Sequence, residues 1–189
     1  MNWPNRLTIL RIVLVPVFVS AVMYQRLDMA LFIFVLSAVT DGLDGYLART
    51  LGQKTRFGAM IDPIADKLLN GSAYICLSMV SGLPEYLRMP VYIPILVISR
   101  DVIILLGAVA LYLLSGRIDI RPTALGKITT SFQMATIIAV LLRFPYSAWL
   151  WNTMAVVTFI SGIDYLRIGS AVINGKNQEY PDSVHSRKT

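Results

Sequence analysis

The sequence predicts an all-α integral membrane protein with six transmembrane helices. Three observations carry that expectation. Of 189 residues, 56% are hydrophobic and only 15% charged, whereas a soluble domain carries about 25% charged residues. The apolar residues gather into six runs, each near the ~20 residues a helix needs to cross hydrocarbon. Lys and Arg sort between alternate loops, as topology signals do.

In chain order, the first run spans 7–24, after a short polar lead, MNWPNRLT, in which Trp3 suits an interfacial anchor. It is interrupted by Arg11 and followed by no small-residue cleavage site, so a helix is expected there rather than a cleaved leader. The second run, 29–48, ends in DGLDGYLA. The third, 59–81, begins among acids, and Asp62 before Pro63 has the form of an N-cap with proline at the first helical position. The fourth, 90–115, carries Arg100-Asp101, the fifth covers 125–144 and the sixth 147–171. Residues 172–189 are polar without apolar periodicity. They read as a loosely ordered cytoplasmic tail, leaving 1–171 as one transmembrane domain.

With the N-terminus inside, the inner segments carry twelve basic residues: Arg6, Arg11, Arg49, Lys54, Arg56, Arg117, Arg121, Lys127, Arg167, Lys176, Arg187 and Lys188. The outer loops carry three, Arg26, Arg88 and Arg143. Both termini are therefore expected on the cytoplasmic side. The net charge of +6 reads as topology signals and lipid headgroup contacts, and no nucleic-acid partner is expected. The single cysteine, Cys76, excludes an intramolecular disulfide and reads as a core residue. The single histidine, His185, lies in the polar tail, which argues against histidine-centred catalysis.

The chemistry concentrates in 41–66, DGLDGYLARTLGQKTRFGAMIDPIAD. Asp41 and Asp44 are three apart, and Asp62 and Asp66 four apart, so on helices each pair shares a face. A charge at the centre of a bilayer costs about 2.5–3.5 kcal/mol on insertion scales, and such residues mark function. Four carboxylates converging from two helices repel unless cations neutralise them. An all-oxygen set with no His or Cys nearby favours Mg²⁺ or Mn²⁺, and two such ions suit phosphoryl chemistry. Gly42, Gly45, Gly52 and Gly58 let a ligand approach the backbone. Arg49 offers a bidentate phosphate clamp, with Lys54, Thr55 and Arg56 beside it. A transporter is the alternative of another class, because membrane carboxylates also carry ions. It predicts inverted repeats and broken helices near the midplane, whereas no repeat is evident here and the acids cluster toward one face.

This stretch resembles the signature of the CDP-alcohol phosphotransferase family. That signature runs Asp, two residues, Asp-Gly, two residues, Ala-Arg, eight residues, Gly, three residues, Asp, three residues, Asp. Asp41, Asp44, Gly45, Ala48, Arg49, Gly58, Asp62 and Asp66 fill it at every position. PNRLTILRIVLVP, ISRDVIILLG and RPTALGKITTSFQM resemble the bacterial phospholipid-making branch. The resemblance implies six transmembrane helices, a homodimer and a polar cavity near the cytoplasmic face, in a bacterial inner membrane. It implies that an alcohol displaces CMP from CDP-diacylglycerol with the help of two divalent ions. Asp41, Asp44, Asp62 and Asp66 would hold the ions, and Asp66 would also be the general base. Gly45, Arg49, Thr55 and Gly58 would contact the donor's nucleotide and diphosphate, with Asn5 and Thr8 from the first helix.

For the acceptor, PNRLTILRIVLVP and TRFGAMIDPIADKLL most resemble the branch that uses glycerol-3-phosphate. An anionic acceptor needs fixed positive charge, for which Lys67, Arg100, Arg117, Arg121 and Lys127 are the candidates. Many members of that branch carry Arg-Glu on the fourth helix, where this chain has Arg100-Asp101. The SRD, RPT and GK segments also resemble the branch that makes cardiolipin from phosphatidylglycerol.

Overall fold

The computed structural model describes the backbone of residues 3–50, 56–115 and 123–173, and the side chains of 9–42, 65–107, 109 and 123–168. Among these residues there are six long helices and no strand: α1 (Trp3–Met23), α2 (Leu27–Thr50), α3 (Arg56–Met79), α4 (Tyr92–Ser115), α5 (Ala124–Leu141) and α6 (Ser147–Ile173). A 3₁₀ turn, Glu85–Leu87, precedes α4. Each helix falls on one of the six expected apolar runs.

Two local expectations change. The polar lead is helical from Trp3 onward, because Pro4 sits in the first turn, where a missing N–H costs nothing. Asp62 is not an N-cap, since α3 begins at Arg56 and runs through Pro63. The proline removes one backbone hydrogen bond there without ending the helix. Residues 174–189, most of the expected tail, lie outside the described residues.

α1 packs on α2 and α3, and α4 and α5 pack on α6. The two groups join where α3 meets α4 and α2 meets α5. Phe18, Phe34, Tyr74, Leu77, Ile93, Ile137 and Met154 fill the core. The Phe18 and Phe34 rings lie 5.9 Å apart at 49°. Cys76 is buried among them, as expected. The outward faces carry exposed Phe32, Leu106, Val156 and Phe159, while Arg11, Asn70, Arg100, Gln133, Thr158 and Ser161 are buried. Tyr74 Oη donates to the Gln133 carbonyl (2.9 Å), and Gln133 Nε2 donates to Thr158 Oγ1 (3.3 Å). An apolar exterior around a hydrogen-bonded polar interior is what a hydrocarbon solvent selects. Among the described residues, Glu85–Gly107 and Ala124–Leu141 are long and apolar enough to cross a bilayer, and Ile9–Met23 is a shorter apolar helix.

One end of the bundle is tied by its turns. Gln25 takes φ 56°, while the Arg26 N–H donates to the Ala21 carbonyl and the Gln25 N–H to that of Val22. This is a Schellman cap with glutamine in the usual glycine position. Arg143, at φ 58°, repeats it after α5, with the Phe144 N–H bonded to the Ala139 carbonyl. Gln25 Nε2 donates to the Ser81 carbonyl (2.8 Å), and Arg143 reaches Asp28 at 3.4 Å. Gly82, at φ 93°, is needed there because a Cβ would collide with the Gln25 amide. Exposed Tyr24, Tyr86, Tyr92, Tyr146 and Trp149 surround this end, as aromatic residues do at a membrane interface. The C-terminal ends of α2 and α4 and the N-terminal ends of α3 and α5 point toward the opposite end.

Candidate functional site

The signature positions lie on the second half of α2 and the first half of α3, both unbroken across them. α1 packs against both. It contributes Arg11, only 1% exposed, whose Nη1 sits 2.6 Å from Asp41 Oδ1. Asp41 itself is 40% exposed, so one carboxylate oxygen is gripped from below while the side chain opens outward. On α3, Asp66 is half-buried, and Asn70, one turn on, donates from Nδ2 to its Oδ1 at 3.2 Å. Asp66 lies within electrostatic range of Asp41, Arg11, Lys67 and Asp101. Two signature acids from two helices therefore act on one region, with a guanidinium from a third helix at its base.

Asp44, Gly45, Arg49, Gly58 and Asp62 occupy α2 and α3, and Asn5 and Thr8 occupy α1, but only their backbone is described. Thr55, Arg117 and Arg121 lie outside the described residues altogether.

A second charged cluster adjoins Asp66. Lys67 Nζ stands 2.9 Å from Asp101 Oδ2, and Arg100 Nη1 stands 2.8 Å from Asp101 Oδ1. Arg100 Nη2 also donates to Ser161 Oγ (3.2 Å) and to the Gly126 carbonyl (3.4 Å), and its Cζ lies 5.5 Å from the centre of the Tyr165 ring. Gly126 permits this closure, because a Cβ there would fall 2.6 Å from Tyr165 Oη. Thr123 caps α5 by accepting the Gly126 N–H at 3.0 Å. Two cations on one carboxylate leave this cluster an excess of one positive charge, beside the acids. Lys127 is exposed at the start of α5 and has no ion-pair partner among the described residues.

In the sequence Arg11 reads as an inside charge that interrupts the first apolar run. Its position within an apolar run was the available signal, because intramembrane charges pair. Asn70, Ser161 and Tyr165 gave no comparable signal, since each is an ordinary residue of an apolar helix until packing is known.

The described donors fit a hard divalent cation. Asp41 and Asp66 offer only oxygen, and Cys76 lies in the core, ten residues further along α3. Oxygen ligands suit Mg²⁺ or Mn²⁺. No group of three potential ligands converges among the described residues.

Comparison with known proteins gives one consistent likeness. Residues 1–161 match the family model described as CDP-alcohol phosphatidyltransferase. The chain is 37% identical over 190 residues to a protein of Mycobacterium tuberculosis named probable phosphatidylglycerophosphate synthase, covering 94% of this chain and 86% of that protein. It is 34% identical over 180 residues to the CDP-diacylglycerol–glycerol-3-phosphate 3-phosphatidyltransferase of Escherichia coli, covering 90% of this chain and 96% of that one. A protein of Cereibacter sphaeroides bearing the same name is 38% identical over 148 residues, covering 72% of this chain and 62% of the relative.

Proposed function

Because the chain belongs to the CDP-alcohol phosphatidyltransferase family, we propose that it is a membrane enzyme of phospholipid biosynthesis that transfers the phosphatidyl group of CDP-diacylglycerol to glycerol-3-phosphate, giving phosphatidylglycerophosphate and CMP. The observation that carries this reading is the completely filled signature from Asp41 to Asp66, borne on two unbroken helices. The names of the similar proteins support glycerol-3-phosphate as acceptor, and so does the positive excess of the Lys67, Arg100 and Asp101 cluster beside Asp66.

In this reading the acceptor hydroxyl attacks the phosphorus that bears diacylglycerol. A new P–O bond forms to the acceptor, the P–O bond to CMP breaks, and the hydroxyl proton passes to the Asp66 carboxylate. The Asn70 amide keeps that carboxylate oriented. Arg49 forks onto the diphosphate, with Gly45 and Gly58 leaving room for it and Asn5, Thr8 and Thr55 completing the donor contacts. Lys67 offers charge to the acceptor phosphate, with Arg100, Arg121 and Lys127 as further candidates. Two divalent ions, Mg²⁺ or Mn²⁺, held by Asp41, Asp44, Asp62 and Asp66, would supply charge neutralisation at the diphosphate and the leaving group. The same reading makes 1–171 a six-span catalytic domain that assembles as a homodimer in a bacterial inner membrane, with the site facing the cytoplasm and 172–189 as a tail.

The test is CMP release by the purified protein in detergent, with CDP-diacylglycerol, Mg²⁺ or Mn²⁺, and single acceptors. Metal-dependent release with glycerol-3-phosphate is the expected result. Release with phosphatidylglycerol alone would make it a cardiolipin-forming enzyme and leave the acid site in place. Failure to bind the donor at all would refute the proposal.

A further inference from the structure

The geometry points to Arg11 as a positioning residue of the acid site: an internal counter-ion that holds Asp41 when no divalent ion does. The inference rests on the metal-dependent reading above and adds a role for a helix outside the signature.

Arg11 lies between Leu10 and Ile12 in α1 and is 1% exposed. A charge so placed neither reaches water nor works as a surface topology signal, and within a membrane its cost is met by a partner. One such partner is Asp41 Oδ1, at 2.6 Å, a charge-assisted contact. Asp41 stays 40% exposed. The carboxylate is thus gripped at Oδ1 while its side chain stays open to its surroundings. Asp66, across the site, lies within electrostatic range of both Asp41 and Arg11, so the guanidinium offsets repulsion between acids on different helices.

Two consequences follow from placing a fixed cation at a cation site. Without divalent ions, Arg11 carries part of the neutralisation that four carboxylates need to stay packed together. With ions present, its charge opposes theirs across the shared Asp41 and weakens their hold. Arg11 therefore lets the metal-free site stay folded and keeps ion binding weaker than the acids alone would make it.

The experiment compares melting of the detergent-solubilised full chain in EDTA and in saturating Mn²⁺, for wild type, Arg11→Gln and Arg11→Lys. Wild type melts higher with Mn²⁺. Arg11→Gln loses more in EDTA than in Mn²⁺, so its metal-dependent rise in Tm is larger, roughly twofold, and half of the rise comes at several-fold lower Mn²⁺. Arg11→Lys keeps the charge and a rise like that of wild type. A purely structural arginine would lower Tm equally in both media, leaving the rise unchanged, and that result overturns the inference. So does an Arg11→Gln protein that cannot be recovered folded even with Mn²⁺ throughout purification, since the ion should then substitute. A wild type whose Tm ignores Mn²⁺ removes the metal site itself, and the role of Arg11 with it.

Discussion

Asp101 is the hinge of the second charged cluster, and replacing it with Ala tests how that cluster holds the bundle. The side chain is 12% exposed and bridges Arg100, 5% exposed, and Lys67, 36% exposed. The two bonds are unequal. Removing one partner of a buried pair leaves an uncompensated charge and costs about 3–5 kcal/mol. A pair with one end that open to solvent contributes about 0–1 kcal/mol. Asp101→Ala is therefore expected to lose about 3–5 kcal/mol, nearly all through Arg100. Lys67→Met should lose at most ~1 kcal/mol. Arg100 would retain the Ser161 hydroxyl, the Gly126 carbonyl and the Tyr165 ring, which argues for the lower half of the range.

The assay is reversible denaturant unfolding in micelles, followed by helical circular dichroism, with a double-mutant cycle. Arg100→Met on the Asp101→Ala background removes the stranded charge and should recover at least ~2 kcal/mol. The reasoning fails if Asp101→Ala stays within ~1 kcal/mol of wild type, or if Lys67→Met costs as much as Asp101→Ala.

Other outcomes follow from single contacts. Asp66→Asn should retain helical content while CMP release falls by ~10²–10⁴, the contribution typical of a general base, and turnover like that of wild type would remove Asp66 from the chemistry. Arg49→Lys should raise the donor KM up to ~10-fold by losing the bidentate fork; an unchanged KM would place that side chain away from the diphosphate. Gly126→Ala should cost about 1–3 kcal/mol by driving Cβ against Tyr165 Oη. Tyr165→Phe on that background should restore part of the loss, and a stable single variant would show that α5 and α6 separate freely.

The helices were legible because the solvent of the chain is hydrocarbon. Runs of apolar residues about 20 long have one economical backbone state, so all six elements could be read from composition with only their ends shifting. The ends shifted for local reasons: Pro4 is harmless in a first turn, and Pro63 proved compatible with a continuing α3. The acids were legible because each was anomalous in its surroundings. Arg11 was equally anomalous, yet a charge near a chain end also satisfies the positive-inside rule. Only its burial and its 2.6 Å approach to Asp41 separate the two meanings. The pairing of Lys67 with Asp101 spans helices that α3 and α4 bring together, and no spacing along the chain encodes it.

The two ends of the bundle solve different problems. At the aromatic end, backbone caps at Gln25 and Arg143 and the Gln25–Ser81 bond close the turns with uncharged groups or exposed, weakly paired ones. Toward the other end, charged side chains link helices within the bundle: Arg11 to Asp41 from α1 to α2, Lys67 to Asp101 from α3 to α4, and Arg100 to Ser161 from α4 to α6. A reacting group is held more firmly on packed helices than on loops. Asp66 stands among these links, with Asn70 on its carboxylate and Lys67 next in sequence. Weakening any one of them should therefore disturb the acid site before it unfolds the aromatic end. Hydrogen exchange on Asp101→Ala can read that order, since amides of α3 near Asp66 should lose protection ahead of those flanking Gln25 and Arg143.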